Sequence, residues 1–148
     1  SPIENRAMDS LRRFLESYLS QVDGLSAILL SDRDGVGLMS AAQPECQWAV
    51  EAVVKRGLVP GFCQAAEQAG KLGVGPASAF VTNYGQMTIV LLSCQPLVVT
   101  LIGQPDCNIG AMTGLLKDRA FSEQLRRLQQ VLPQESGDAA GGSGPVRV

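Results

Sequence analysis

The chain has 148 residues, 45% hydrophobic and 18% charged, with a formal net charge of −2 and no histidine. That length suits one domain with an ordinary core, and the balance fits neither a disordered chain nor a nucleic-acid binder, which needs a clustered basic surface. Without histidine, the Ser-His and Cys-His catalytic pairs are excluded.

No run approaches the roughly 18 consecutive apolar residues of a membrane-spanning helix. The most apolar stretches, 27–30 and 97–102, have the length of strands. The opening Ser1-Pro2-Ile3-Glu4 lacks the basic-then-apolar order of a secretory signal. Met8 is expected to be the natural start, with residues 1–7 a remnant ahead of it. Cys46, Cys63, Cys94 and Cys107 form no C-x-x-C, so they read as reduced, mostly buried cytosolic thiols, and no metal site is expected.

Leu11, Phe14, Leu15, Tyr18, Leu19 and Val22 recur at spacings of three and four, which predicts a helix. Asp9 or Ser10 is the expected cap and Gly24 the stop. Residues 25–31 and 36–40 then read as a hairpin, with Asp34-Gly35 as a type I′ turn signal. Asp32-Arg33-Asp34-Gly35 has the look of a calcium loop, but the ligands beyond the glycine are missing. Residues 41–73 read as interrupted helix: Trp48, Ala49, Ala52, Val53 and Val54 up to Gly57, then a second stretch opened by Pro60. That second helix carries Phe62, Ala65, Ala66, Ala69 and Leu72 on one face. The face reads equally as a packing surface for another chain or as a cover for its own sheet. Trp48 is expected in the core more often than outside it.

Ala79–Tyr84, 87–92 and 97–102 read as three strands joined by short turns, and hence as antiparallel neighbours. Pro96 is expected to open the last one. Asn108 is the expected cap of a final helix holding Met112, Leu115, Leu116, Phe121, Leu125, Leu128 and Leu132, closed by Pro133. The tail, 133–148, is rich in Gly, Ser and Ala and is expected to be disordered. The elements assemble as an α+β fold, a five-stranded antiparallel sheet with helices on its faces.

Chemistry is sparse. Gly70-Lys71-Leu72-Gly73 lacks the Ser or Thr of a phosphate loop and reads as a helix end. Asp32 and Asp34 read as turn residues, and Glu45, Glu51 and Glu67 are scattered. No enzyme and no cofactor is expected, although a small-molecule sensor on such a sheet stays open. Protein association has a better physical route, because Ala79–Tyr84 at a sheet edge would expose unpaired backbone groups.

Gly24-Leu25-Ser26-Ala27-Ile28 followed by Ser31-Asp32-Arg33-Asp34-Gly35-Val36 resembles the opening hairpin of the roadblock/dynein light chain family, and its Ragulator branch in particular. Lys71-Leu72-Gly73, the strand Pro96-Leu97-Val98-Val99-Thr100-Leu101-Ile102 and Asn108-Ile109-Gly110 agree with it. The likeness spans 8–132, taken as the domain.

It implies a profilin-like α/β sandwich of order α-β-β-α-β-β-β-α and a heterodimer with a second roadblock subunit. Carried over by position, the pairing surface is Phe62, Ala65, Ala66, Ala69 and Leu72 of the middle helix with Ala79, Phe80, Val81, Thr82 and Tyr84 of the next strand. It further implies a Ragulator-like scaffold on the cytosolic face of late endosomes and lysosomes. There it would serve Rag GTPases, TOR and the MEK and ERK kinases, with membrane contact only through partners. A homodimeric small-GTPase regulator or a dynein light chain is the alternative. Residues 41–60 look longer than the family's loop and the helix after Pro60 shorter.

Overall fold

A computed structural model describes residues 2–73 and 79–131. One five-stranded antiparallel sheet, in the order β2-β1-β5-β4-β3, separates two layers of helices. The strands are β1 (Leu25–Asp32), β2 (Gly37–Ala42), β3 (Ala79–Tyr84), β4 (Met87–Cys94) and β5 (Leu97–Gly103). The three inner strands are apolar at nearly every position, because side chains alternate between two covered faces.

Helix α1 (Pro2–Gln21) packs on one face with Leu11, Leu15 and Leu19 buried. Each such leucine contributes about 2 kcal/mol by leaving water. The helix begins at Pro2, not at the expected caps Asp9 or Ser10. Ala7 and Met8 extend its apolar stripe onto the core, and proline suits a first helical turn. The chain leaves α1 through Gly24, whose φ is +82° and where an added Cβ would stand 2.7 Å from the Cα of Cys107. A side chain there meets backbone, so the crossing needs glycine.

The β1–β2 turn is not type I′. Asp32 accepts from the Gly35 N–H at 3.1 Å, and only Gly35 has positive φ, at 89°. The Asp32 carboxylate accepts from the N–H groups of Asp34 and Val36, both at 2.9 Å. That aspartate bonding to its own turn keeps Asp34 out of the left-handed region.

Helices α2 (Gln47–Lys55) and α3 (Leu58–Lys71) cover the other face, after a 3-10 turn at Pro44–Cys46. Gly57, left-handed at φ 67°, separates them, and Pro60 falls in the first turn of α3. Beneath lie Ala27, Leu29, Ile89, Leu91, Val98 and Ile102. Trp48 is not in this core: it is 58% exposed. The buried stripe of α2 is Ala49, Val50 and Val53, which turns position 48 outward.

The expected single last helix is broken in two. Asn108 caps α4 (Ile109–Thr113) by accepting from Ala111 N–H at 3.0 Å, and a 3-10 turn follows at Gly114–Lys117. Asp118 then accepts from Phe121 N–H at 3.0 Å and opens α5 (Arg119–Val131). An aspartate that caps a new helix cannot sit inside a continuous one. Pro96 stands in the β4–β5 turn, after a cis Gln95–Pro96 bond, and not at the start of β5. Leu132, Pro133 and the Gly-rich tail lie outside the described residues.

Candidate partner-binding surface

Among the described residues strand β3 ladders only with β4, from Ala79 opposite Leu92 to Tyr84 opposite Met87, so its other side is an edge that none of them covers. Its sequence, Ala-Phe-Val-Thr-Asn-Tyr, holds no charge and no proline, the usual guards of an edge. Phe80, Thr82 and Tyr84 lie opposite Leu91, Ile89 and Met87, which belong to the core under α2 and α3. Val81 points the other way, opposite Val90. Phe80 is 46% and Val81 43% exposed, high for large apolar side chains.

Helix α3 buries Val59, Phe62 and Cys63. Phe62 reaches the edge strand, its ring centroid 6.0 Å from that of Phe80. Ala65 is exposed, Ala69 is half-buried, and Leu72, just past the helix, is 79% exposed. Helical spacing puts Ala65, Ala69 and Leu72 on the flank of α3 shared with Phe62. Small side chains there leave the backbone open to close approach.

Ala66, one turn on from Phe62, is half-buried and shares with Phe62 a groove of about 240 Å³ that Arg33, Cys63, Glu67, Ser93 and Gln95 also line, between α3 and the β4–β5 turn. Across this groove Arg33 pairs with Glu67 at 3.0 Å, tying the first hairpin to α3. The pair is solvent-exposed and worth little stability. Hydrogen bonds to Cys63 and then to Glu67 push the Arg33 guanidinium further up from an already high value.

Of the positions assigned from the sequence, Phe62 and Phe80 touch, while Ala65, Ala69 and Leu72 flank the open helix side. Ala79 and Val81 stand exposed on the edge strand. Thr82 is half-buried. Tyr84 is half-buried too, with the Arg56 guanidinium 5.2 Å above its ring. Trp48 is an exposed aromatic that the reading by residue type sends to the core; the signal that finds it is its place off the α2 stripe.

All four cysteines are unbridged. Among the described residues, no group of three or more Cys, Asp or Glu is placed to hold a metal ion. Lys71 ends α3, with Gly73 N–H bonding back to Gly70 at φ 80°, so the stretch 70–73 caps a helix. No helix among the described residues is long and apolar enough to cross a membrane.

The family model described as "Mitogen-activated protein kinase kinase 1 interacting" matches residues 9–132. The Ragulator complex protein LAMTOR3 of Pongo abelii is 36% identical over 124 residues, covering 83% of this chain and 98% of the relative. Among solved structures, the gliding protein MglB from Thermus thermophilus superposes with a TM-score of 0.64 at 20% identity, covering 88% of this chain and 94% of that one. The Roadblock/LC7 domain from Streptomyces avermitilis gives 0.57 at 10% identity, over 81% and 92%. These two show the fold alone. By its sequence from residue 9 to 132 and by its sheet and helix order, the chain belongs to the mitogen-activated protein kinase kinase 1-interacting family of roadblock-fold proteins.

Proposed function

We propose that this protein is a non-catalytic scaffold subunit that pairs with a second roadblock subunit through the edge of β3 and the open flank of α3. The observation that carries this reading is the edge strand. An uncharged six-residue strand with Phe80 and Val81 exposed adjoins a helix flank of small residues ending at Leu72. A second domain presenting the same elements can continue the sheet across the two edges and lay its helix along α3. Such an assembly satisfies the free backbone groups and removes apolar surface from water.

Likeness to Ragulator proteins supports placing the pair within a Ragulator-like complex on late endosomes or lysosomes. There the scaffold would hold Rag GTPases for TOR signalling and bring MEK and ERK kinases together. Membrane attachment would come through partners.

The test is mass by light scattering, for the chain alone and mixed with a Ragulator-type roadblock subunit. A monomer or weak self-dimer that converts to a tight one-to-one complex is expected. A stable homodimer that ignores the added subunit would replace this reading with that of a homodimeric GTPase regulator or dynein light chain.

A further inference from the structure

A cation stands at each end of the β3 edge. At one end Arg56, the residue that follows α2, holds its guanidinium 5.2 Å above the ring of Tyr84, where β3 finishes. At the other end α3 finishes on Lys71. Gly70, beside it, shares a groove with Ser93 and Gln95, and Ser93 follows Leu92, the residue opposite Ala79. Lys71 therefore belongs to the Ala79 end, and the length of a six-residue strand, about 20 Å, keeps it from Arg56.

Both side chains are exposed, and neither forms an ion pair among the described residues. Strand β3 itself carries no charge. The acid of α3 is Glu67, which is tied to Arg33. The acid of α2 is Glu51, five residues before Arg56 and therefore on a different side of the helix.

Symmetry says what these two charges do. Two copies of this chain that join through β3, with α3 laid along α3, are related by a two-fold axis, so their edge strands run antiparallel. Tyr84 of each copy then lies beside Ala79 of the other. On the shared helix face, Arg56 of each copy comes up against Lys71 of the other, once on either side of the axis. Like charges juxtaposed at an interface suppress the pairing that brings them together.

We propose that Arg56 and Lys71 bar this chain from pairing with a second copy of itself, and so direct the β3 edge to a subunit whose middle helix ends without a cation. The inference rests on the pairing surface proposed above and adds the chemistry that selects its occupant. The end of a helix offers Arg56 bare carbonyl groups and the negative pole of the helix dipole, both of which attract a guanidinium. Lys71 cancels that attraction in a self-pair, whereas a neutral or acidic last turn keeps it. Stacking on Tyr84 holds the guanidinium at the edge for this contact. Arg56 is carried there by α2, within the 41–60 stretch that looks longer than the family's loop.

The test is self-association of the full chain by sedimentation equilibrium, for the parent, Arg56→Glu, Lys71→Glu and the double variant. The parent should be monomeric or weakly self-paired. Each single variant sets a carboxylate against a cation at two symmetric contacts and should self-pair about tenfold more tightly, with the gain lost in high salt. The double variant sets Glu against Glu and should fall back towards the parent. Circular dichroism should be the same for all four, because both positions are exposed. Adding Ala65→Arg to each separates this proposal from the reading it rests on, since it should dissolve any pair formed through α3 and β3. Self-pairs that survive Ala65→Arg overturn the pairing surface and this proposal together. Self-pairing that Ala65→Arg dissolves but that is equally tight in all four chains overturns this proposal alone. So does the absence of any gain in both single variants.

Discussion

The ring of Phe80 lies 6.0 Å from that of Phe62, tilted by 35°. Phe62 is 5% exposed under α3, and Phe80, on the edge strand, is 46% exposed. One aromatic pair therefore joins the core to the open edge, and fixes where the flank of α3 meets β3.

Ala65 and Ala66 separate pairing from folding. Ala65 is exposed on the open flank, so Ala65→Arg should change stability by no more than about 0.5 kcal/mol. It should abolish assembly, because burying an unpaired charge at an interface costs several kcal/mol. Ala66 is half-buried against its own groove, so Ala66→Arg should lower the melting temperature as well. Light scattering and thermal unfolding of the two variants check this; unchanged assembly in Ala65→Arg would place the interface elsewhere.

Thr100 is fully buried on β5, and its hydroxyl has no hydrogen-bond partner. Thr100→Val removes the unpaired hydroxyl at nearly the same shape. We expect a gain of about 1 kcal/mol, the lower end of the penalty for an orphaned polar group, read as a higher urea midpoint.

Asp118 is the point at which the last helix restarts. Asp118→Ala leaves the Phe121 N–H without its partner and should cost about 1 kcal/mol. Asp118→Asn, which still accepts that bond, should recover most of the loss. Equal losses in both variants would assign the effect to charge, and equilibrium unfolding in urea distinguishes the two.

Burial pushes the Cys94 thiol from its ordinary 9.0 up to about 11. The folded state thus holds the neutral thiol where the unfolded chain has begun to ionise. Below pH 9 this group should leave stability unchanged. From pH 9 to 11 the unfolded state binds fewer protons, so stability should fall as pH rises. Tyr18 is also raised from 10.0, by burial first and then by Asp118, and adds to the fall above pH 10. Urea midpoints across pH 8–11 should drop less steeply in Cys94→Ala.

The sequence by itself determined the elements and the family. Period-four spacing in α1, near-continuous apolar runs in β1, β4 and β5, and the Gly and Pro punctuation between them specify local structure with little help from the rest of the chain. The break in the last helix comes from Asp118 capping α5, but the apolar period runs across that break and hides it.

Which face each element buries was decided only in three dimensions. The order β2-β1-β5-β4-β3 leaves β3 at an edge, and no local pattern encodes which strand lacks a neighbour. The flank of α3 divides the alanines, with Ala65 exposed and Ala66 half-buried in the groove that Phe62 and Cys63 also line, because burial of Phe62 and Cys63 sets which side of the helix faces the sheet. Trp48 stays in solvent for the same reason: the core under α2 is already filled by Ala49, Val50 and Val53, and burial goes to the side chains that packing can reach.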